Sequence, residues 1–92
     1  MHISWDPFKA AANVAKHGVS FDEAATVFGD PLGRFRPDPR HSSVEERFVL
    51  LGLSSRGRLL AVMFTEPEPD PLHLFSARPA TKYERRNYEE NS

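Results

Sequence analysis

The apolar residues of this chain keep a helical spacing as far as Gly29-Asp30-Pro31 and an extended spacing from Gly33 to Arg78. One switch of that kind leaves few folds open, because helices gathered at one end of a chain and strands at the other pack as layers on a shared sheet. On the helical side, Asp6-Pro7 supplies an N-cap and a first-turn proline. Phe8, Ala11, Ala12 and Ala15 then recur along one face to about His17, and Gly18 stands where a left-handed stop is wanted. Ser20 and Glu23 have capping-box spacing and open a second helix carrying Phe21, Ala24, Ala25, Val27 and Phe28. Ahead of both, His2 to Trp5 reads as a short first strand.

Past the switch, Gly33-Arg34-Phe35-Arg36 places two arginines on one face of a strand and a phenylalanine on the other. Pro37 to Glu46, broken by two prolines, reads as an exposed loop. Arg47 to Leu53 is apolar on both faces after its first residue, which predicts a central strand. Ser54 to Gly57 is a turn, and Arg58 to Thr65 closes a hairpin with the strand before it. Glu66 to Pro71 is an acidic loop with three prolines. Leu72 to Arg78 is the last strand, and a helix runs from there to about Glu90. The expected architecture is one α+β domain over residues 1–92, with two N-terminal helices and a C-terminal helix packed on a small antiparallel sheet.

The chain has no cysteine, which excludes disulfide scaffolds, thiolate zinc sites and cysteine nucleophiles and fits a reducing cytoplasm. No apolar run reaches the roughly 18 residues of a spanning helix, so no membrane role is expected. The net charge of −1 hides an uneven distribution. Residues 31–60 carry six arginines against three acids, and residues 61–72 carry three acids and no base. A polyanion responds to such a local face more than to the sum. Nine of the ten basic residues after position 30 are arginine, whose planar fork suits phosphate or carboxylate. No phosphate-cradling glycine loop or metal-ligand spacing is present, and no cofactor is implied.

WDPFKAAANVAKHGVSFDEAATVFGDP, followed by ERF, GRLLAVMFTE and SARPATKYERRNYEE, resembles the BrnT-type toxins of bacterial type II toxin–antitoxin systems. The resemblance covers nearly the whole chain, and KHGVSFDEA with SAR-x-A-T-x-x-E-R-x-x-Y are its specific signatures. It implies a RelE-like fold and a metal-independent endoribonuclease that inhibits translation. It also implies a cognate BrnA-type antitoxin in a 2:2 complex, with operator DNA met only through that antitoxin. The alternative within the family is a weak or inactive homologue that binds the antitoxin and tunes the operon.

Cleavage through the RNA 2′-hydroxyl needs a base, an acid and cations for the charge on phosphorus. Arg78, at the junction of last strand and helix and inside the resemblance, is the candidate for the phosphate. His17 and Glu84 are the candidates for proton transfer, although Thr81-x-x-Glu84 is also a capping box. Tyr88 shares a helix face with Glu84 and either packs on the sheet with its hydroxyl bonded or meets the RNA. Arg47, Arg58, Lys82 and His73 are candidate RNA contacts; Arg47 and Arg58 open neighbouring strands and need not converge. His73 stands where the resemblance implies an arginine.

Overall fold

The computed structural model describes residues 2–38, 47–66 and 72–90. Its elements are β1 (Ile3–Trp5), α1 (Pro7–His17), α2 (Phe21–Thr26) with a 3₁₀ turn at Val27–Gly29, β2 (Arg34–Pro37), β3 (Arg47–Leu53), β4 (Leu59–Thr65), β5 (Leu72–Pro79) and α3 (Lys82–Glu90). The helix caps act as the sequence implies, but the expected apolar face of α1 is not buried: Phe8, Ala11, Ala12 and Ala15 are all exposed, and Asn13 is the residue α1 buries. Asp6 accepts the Phe8 N–H at 2.8 Å, and Gly18, at φ 69°, adopts the left-handed conformation that ends α1. Ser20 accepts the Glu23 N–H at 3.0 Å, but the Glu23 carboxylate is turned away from the cap. The loops expected at Pro37–Glu46 and Glu66–Pro71 lie mostly outside the described residues.

The five strands form one sheet in the order β1-β5-β4-β3-β2. Only three of its four pairings are antiparallel: β1 runs parallel to β5, with Ser4 opposite His73. The expected antiparallel sheet is therefore corrected to a mixed one. The cause is local. Asp6-Pro7 turns the chain straight from β1 into α1, which lies along β5. Ile3 and Trp5 add to the core on that side, Trp5 meeting Phe21 edge-on at 5.9 Å. Past the end of β1, the Asn13 side chain replaces a strand. Its amide donates to the Ala77 carbonyl at 2.8 Å and accepts the Ala77 N–H at 3.1 Å.

Two apolar layers result. On one side of the sheet α1, α2 and the 3₁₀ turn bring Val19, Phe21, Ala24 and Val27 onto Leu50, Leu60, Val62, Phe64, Leu72 and Leu74. On the other, α3 covers Val49, Leu51, Leu59 and Ala61 through Tyr88. Each large side chain fully buried in this way contributes about 1.5–3 kcal/mol. The second layer is much the smaller, so α3 also depends on polar anchors. Tyr88 donates its hydroxyl to the Asp30 carboxylate at 2.6 Å, and Asp30 accepts the Leu32 and Leu53 N–H groups as well. Gly52 lets this knot close, because a Cβ there would stand 3.1 Å from the Asp30 carboxylate.

Candidate functional site

Cross-strand partners in register project from the same side of a sheet. On the α3 side, the register aligns Arg34, Leu51, Ala61 and Arg78 in one row and Arg36, Val49, Met63 and Ser76 in the next. A third row is Arg47, Thr65, His73 and Ser4. α3 lies over the first row and reaches Val49 of the second; among the described residues no helix covers the third. One face therefore carries Arg34, Arg36, Arg47 and Arg78 together with His73. A register irregularity near Met63 and Phe64 turns Phe75 onto this face as well, and the Arg47 guanidinium lies 4.3 Å from its ring centroid, a cation–π contact.

Between α3 and strands β2 and β3 runs a groove of about 540 Å³. Arg34, Arg36, Val49 and Leu51 form its sheet wall, Thr81, Tyr83, Glu84 and Asn87 its helix wall, and Arg78 joins the two. Arg78 donates to both oxygens of Glu84, at 2.7 and 3.0 Å, and to the Pro79 carbonyl at 3.3 Å. Glu84 also accepts the Thr81 N–H at 2.9 Å while its own N–H donates to the Thr81 hydroxyl at 3.1 Å, a complete capping box. One carboxylate thus caps α3 and aims the arginine. Burial pushes the Glu84 carboxyl up, but the Arg78 and Thr81 donors push it further down, so its pKa lies below the ordinary value. Tyr83 projects from the helix wall with 72% of its surface exposed.

The candidates from the sequence divide into four groups. Arg78 and Glu84 are bonded to each other. Arg47 and His73 flank Thr65 farther along the same face, with His73 Nδ1 at 3.0 Å from the Ser4 hydroxyl, and Lys82 is exposed in the first turn of α3. Tyr88 belongs to α3 but is buried, its phenol raised to about 12 by the bond to Asp30 and by burial. His17 ends α1, in the helical layer on the other side of the sheet.

Arg58 belongs with His17. It donates from Nε and Nη2 to the Glu23 carboxylate and from Nη2 to the Gly18 carbonyl at 3.1 Å. Ser54 donates to Glu23 at 2.7 Å, and these donors lower the Glu23 pKa to about 2. Arg47 and Arg58 lie at opposite ends of the hairpin, as their positions at two strand starts suggested.

Three groove residues, Arg34, Arg36 and Tyr83, were not among the candidates. Arg34 and Arg36 were visible as an alternating pair, but which strand lay beside them was not. Tyr83 had no signal beyond being an aromatic in a very polar helix.

Residues 5–84 match the family described as the ribonuclease toxin of type II toxin–antitoxin systems. This chain belongs to that family, BrnT. Among solved structures it is similar to the Brucella abortus ribonuclease toxin BrnT, with a TM-score of 0.70, 25% sequence identity, and coverage of 89% of this chain and 99% of that one. No curated protein sequence matches it.

Proposed function

We propose that the chain is a metal-independent endoribonuclease of RelE-like construction that inhibits translation, with RNA lying across the arginine face and its scissile phosphate at Arg78. The observation that carries this reading is the row from Arg34 to Arg78 ending on the Arg78–Glu84 pair, which puts a cation and a carboxylate within one groove. The chemistry follows from their coupling. A phosphate entering the groove competes with Glu84 for the guanidinium. Once Arg78 turns to the phosphate, Glu84 loses the hydrogen bonds and charge that Arg78 supplied, and its proton affinity rises. It then takes the proton of the 2′-hydroxyl as that oxygen attacks phosphorus. The 5′-oxygen leaves and takes a proton from water, giving a 2′,3′-cyclic phosphate. Arg78 meanwhile stabilises the charge on the phosphoryl oxygens.

Arg34 and Arg36 hold the strand on one side of that phosphate, and Arg47, His73 and Lys82 are assigned to neighbouring nucleotides. Tyr83 offers a face on which a base stacks. His17, Arg58 and Tyr88 act on the frame rather than on RNA. As a member of a type II system the toxin has an antitoxin partner, which we take to be BrnA-type, in a 2:2 complex that reaches operator DNA through the antitoxin.

The test is cleavage of a single-stranded RNA by the purified chain in the presence of a chelator. Arg78→Ala is expected to lower the rate about 10²–10³-fold, the usual cost of removing one transition-state donor. Wild-type cleavage by Arg78→Ala overturns the site, and loss of cleavage on chelation overturns metal independence. The resting Arg78–Glu84 pair also favours a second reading, a toxin homologue that binds its antitoxin without cleaving. Full antitoxin binding with no cleavage by wild type would select it.

A further inference from the structure

β2 ends the sheet, and all four of its residues are exposed. The Asp38 N–H donates to the Arg47 carbonyl at 2.7 Å, and continuing that register inward makes Arg36–Val49 and Arg34–Leu51 the pairs that exchange backbone hydrogen bonds with β3. The N–H and C=O of Phe35 therefore point out of the sheet, and among the described residues nothing meets them. The two sides of this edge differ in chemistry. Arg34 and Arg36 stand on one; on the other, Phe35 stacks on Phe48 at 5.0 Å and remains 56% exposed. Beside it lies a crevice of about 210 Å³ lined by Phe28, Leu50, Phe64 and Leu72 together with the acidic residues Asp30 and Glu66.

We propose that this edge is a docking strand for an extended segment of the neutralising partner, in which one apolar residue sits between two acidic ones. Added antiparallel, the apolar residue exchanges both backbone bonds with Phe35 and its side chain enters the crevice. The acidic neighbours fall opposite Arg34 and Arg36 on the other side of the sheet. The alternation of the strand thus writes the partner's sequence pattern.

A second copy of the chain is the competing occupant, and charge rejects it. Antiparallel pairing of two β2 edges about Phe35 sets Arg34 of each against Arg36 of the other, and like charges directly opposite destabilise a ladder. Pro37, with no N–H, limits any added strand to a few residues. The proposal rests on the toxin–antitoxin reading and adds how silencing works. A strand here places carboxylates on the two arginines that line the RNA groove, so neutralisation is competition for the same cations.

The probe is a synthetic eight-residue peptide with a Glu-Ile-Glu core, titrated against the whole chain by fluorescence anisotropy. Controls are a frame-shifted peptide with an Ile-Glu-Ile core and the original peptide N-methylated at its central isoleucine. The expected result is binding of the first and about tenfold or more weakening with either control, the worth of about one backbone hydrogen bond or one misplaced charge pair. Slowed exchange of the Phe35 amide should accompany binding, and Arg34→Glu with Arg36→Glu should abolish it.

Equal binding of the N-methylated peptide overturns strand addition, and equal binding of the frame-shifted one overturns the alternation rule. Self-association of the free chain that is lost in Phe35→Lys would assign the edge to a second copy. Weakened RNA binding in Phe35→Ala with peptide binding unchanged would assign it to RNA. Because the titration does not use cleavage, an RNA-cleaving chain that ignores the peptide refutes this proposal alone. A chain that binds the peptide and cleaves nothing refutes the nuclease reading alone.

Discussion

Glu23 decides whether Arg58 belongs to the frame or to an RNA surface. Its carboxylate takes two hydrogen bonds from Arg58 and one from Ser54, and its side chain is 4% exposed while that of Arg58 is 40% exposed. Charge-assisted bonds of this kind contribute about 1.5–3 kcal/mol each in protected sites, but the open side of Arg58 lets water replace part of what Glu23 supplies. Glu23→Ala should therefore cost about 2–3 kcal/mol. The titration leads to a similar figure, since lowering a carboxyl from 4.5 to about 2 corresponds to roughly 3 kcal/mol before solvent screening is discounted.

In a domain of this size that loss lowers Tm by about 10–20 °C, measured by calorimetry or far-ultraviolet circular dichroism. Because the folded pKa is depressed, the stabilisation is fully present above pH 4.5 and disappears as pH falls towards about 2. Acid sensitivity over that window should be weaker in Glu23→Gln. A double cycle with Arg58→Ala should return a coupling of about 1–2 kcal/mol. The assignment of Arg58 to the frame fails if Glu23→Ala melts within a degree or two of wild type. It fails equally if Arg58→Ala keeps its stability and loses RNA binding.

Tyr88→Phe should cost about 1–2 kcal/mol in a melt, because it strips the hydroxyl from Asp30 and unfastens α3; an unchanged Tm would show that burial alone holds the helix. Tyr83→Ala should leave Tm unchanged and weaken single-stranded RNA binding about 5- to 100-fold by filter retention if its ring stacks on a base. Affinity for that RNA should fall with salt at a logarithmic slope of about −3, the value for four neutralised phosphates at Arg34, Arg36, Arg47 and Arg78. A slope near zero would remove the arginine face from the binding surface.

Helix starts and stops were legible because each is written within a few residues: Asp6-Pro7, Gly18, Ser20 and the Thr81–Glu84 box all behave as their chemistry dictates. The direction of β1 was not, since three residues carry too little pattern to say which neighbour they join or which way they run. The site shows the same division. Arg78 and Glu84 are six residues apart and their meeting across a turn is nearly local. The neighbourhood of Arg34 and Arg78 depends on two intervening strands and their register, which no spacing in the chain records. Glu23 misled for a related reason. Its spacing from Ser20 is that of a capping box, yet the half-exposed Arg58, just ahead of β4, outcompetes a cap N–H for the carboxylate.

The Asn13 amide that stands in for a strand beside Ala77 also bears on how far the molecule can polymerise. A sheet propagates from copy to copy when both of its borders are usable templates. Here one border is three residues long and gives way to a side chain that satisfies the next backbone pair and is rooted in a helix. The molecule is thus a chain terminator for its own sheet. A strand added at β2 therefore finds no matching template at the opposite border through which the addition could repeat from copy to copy.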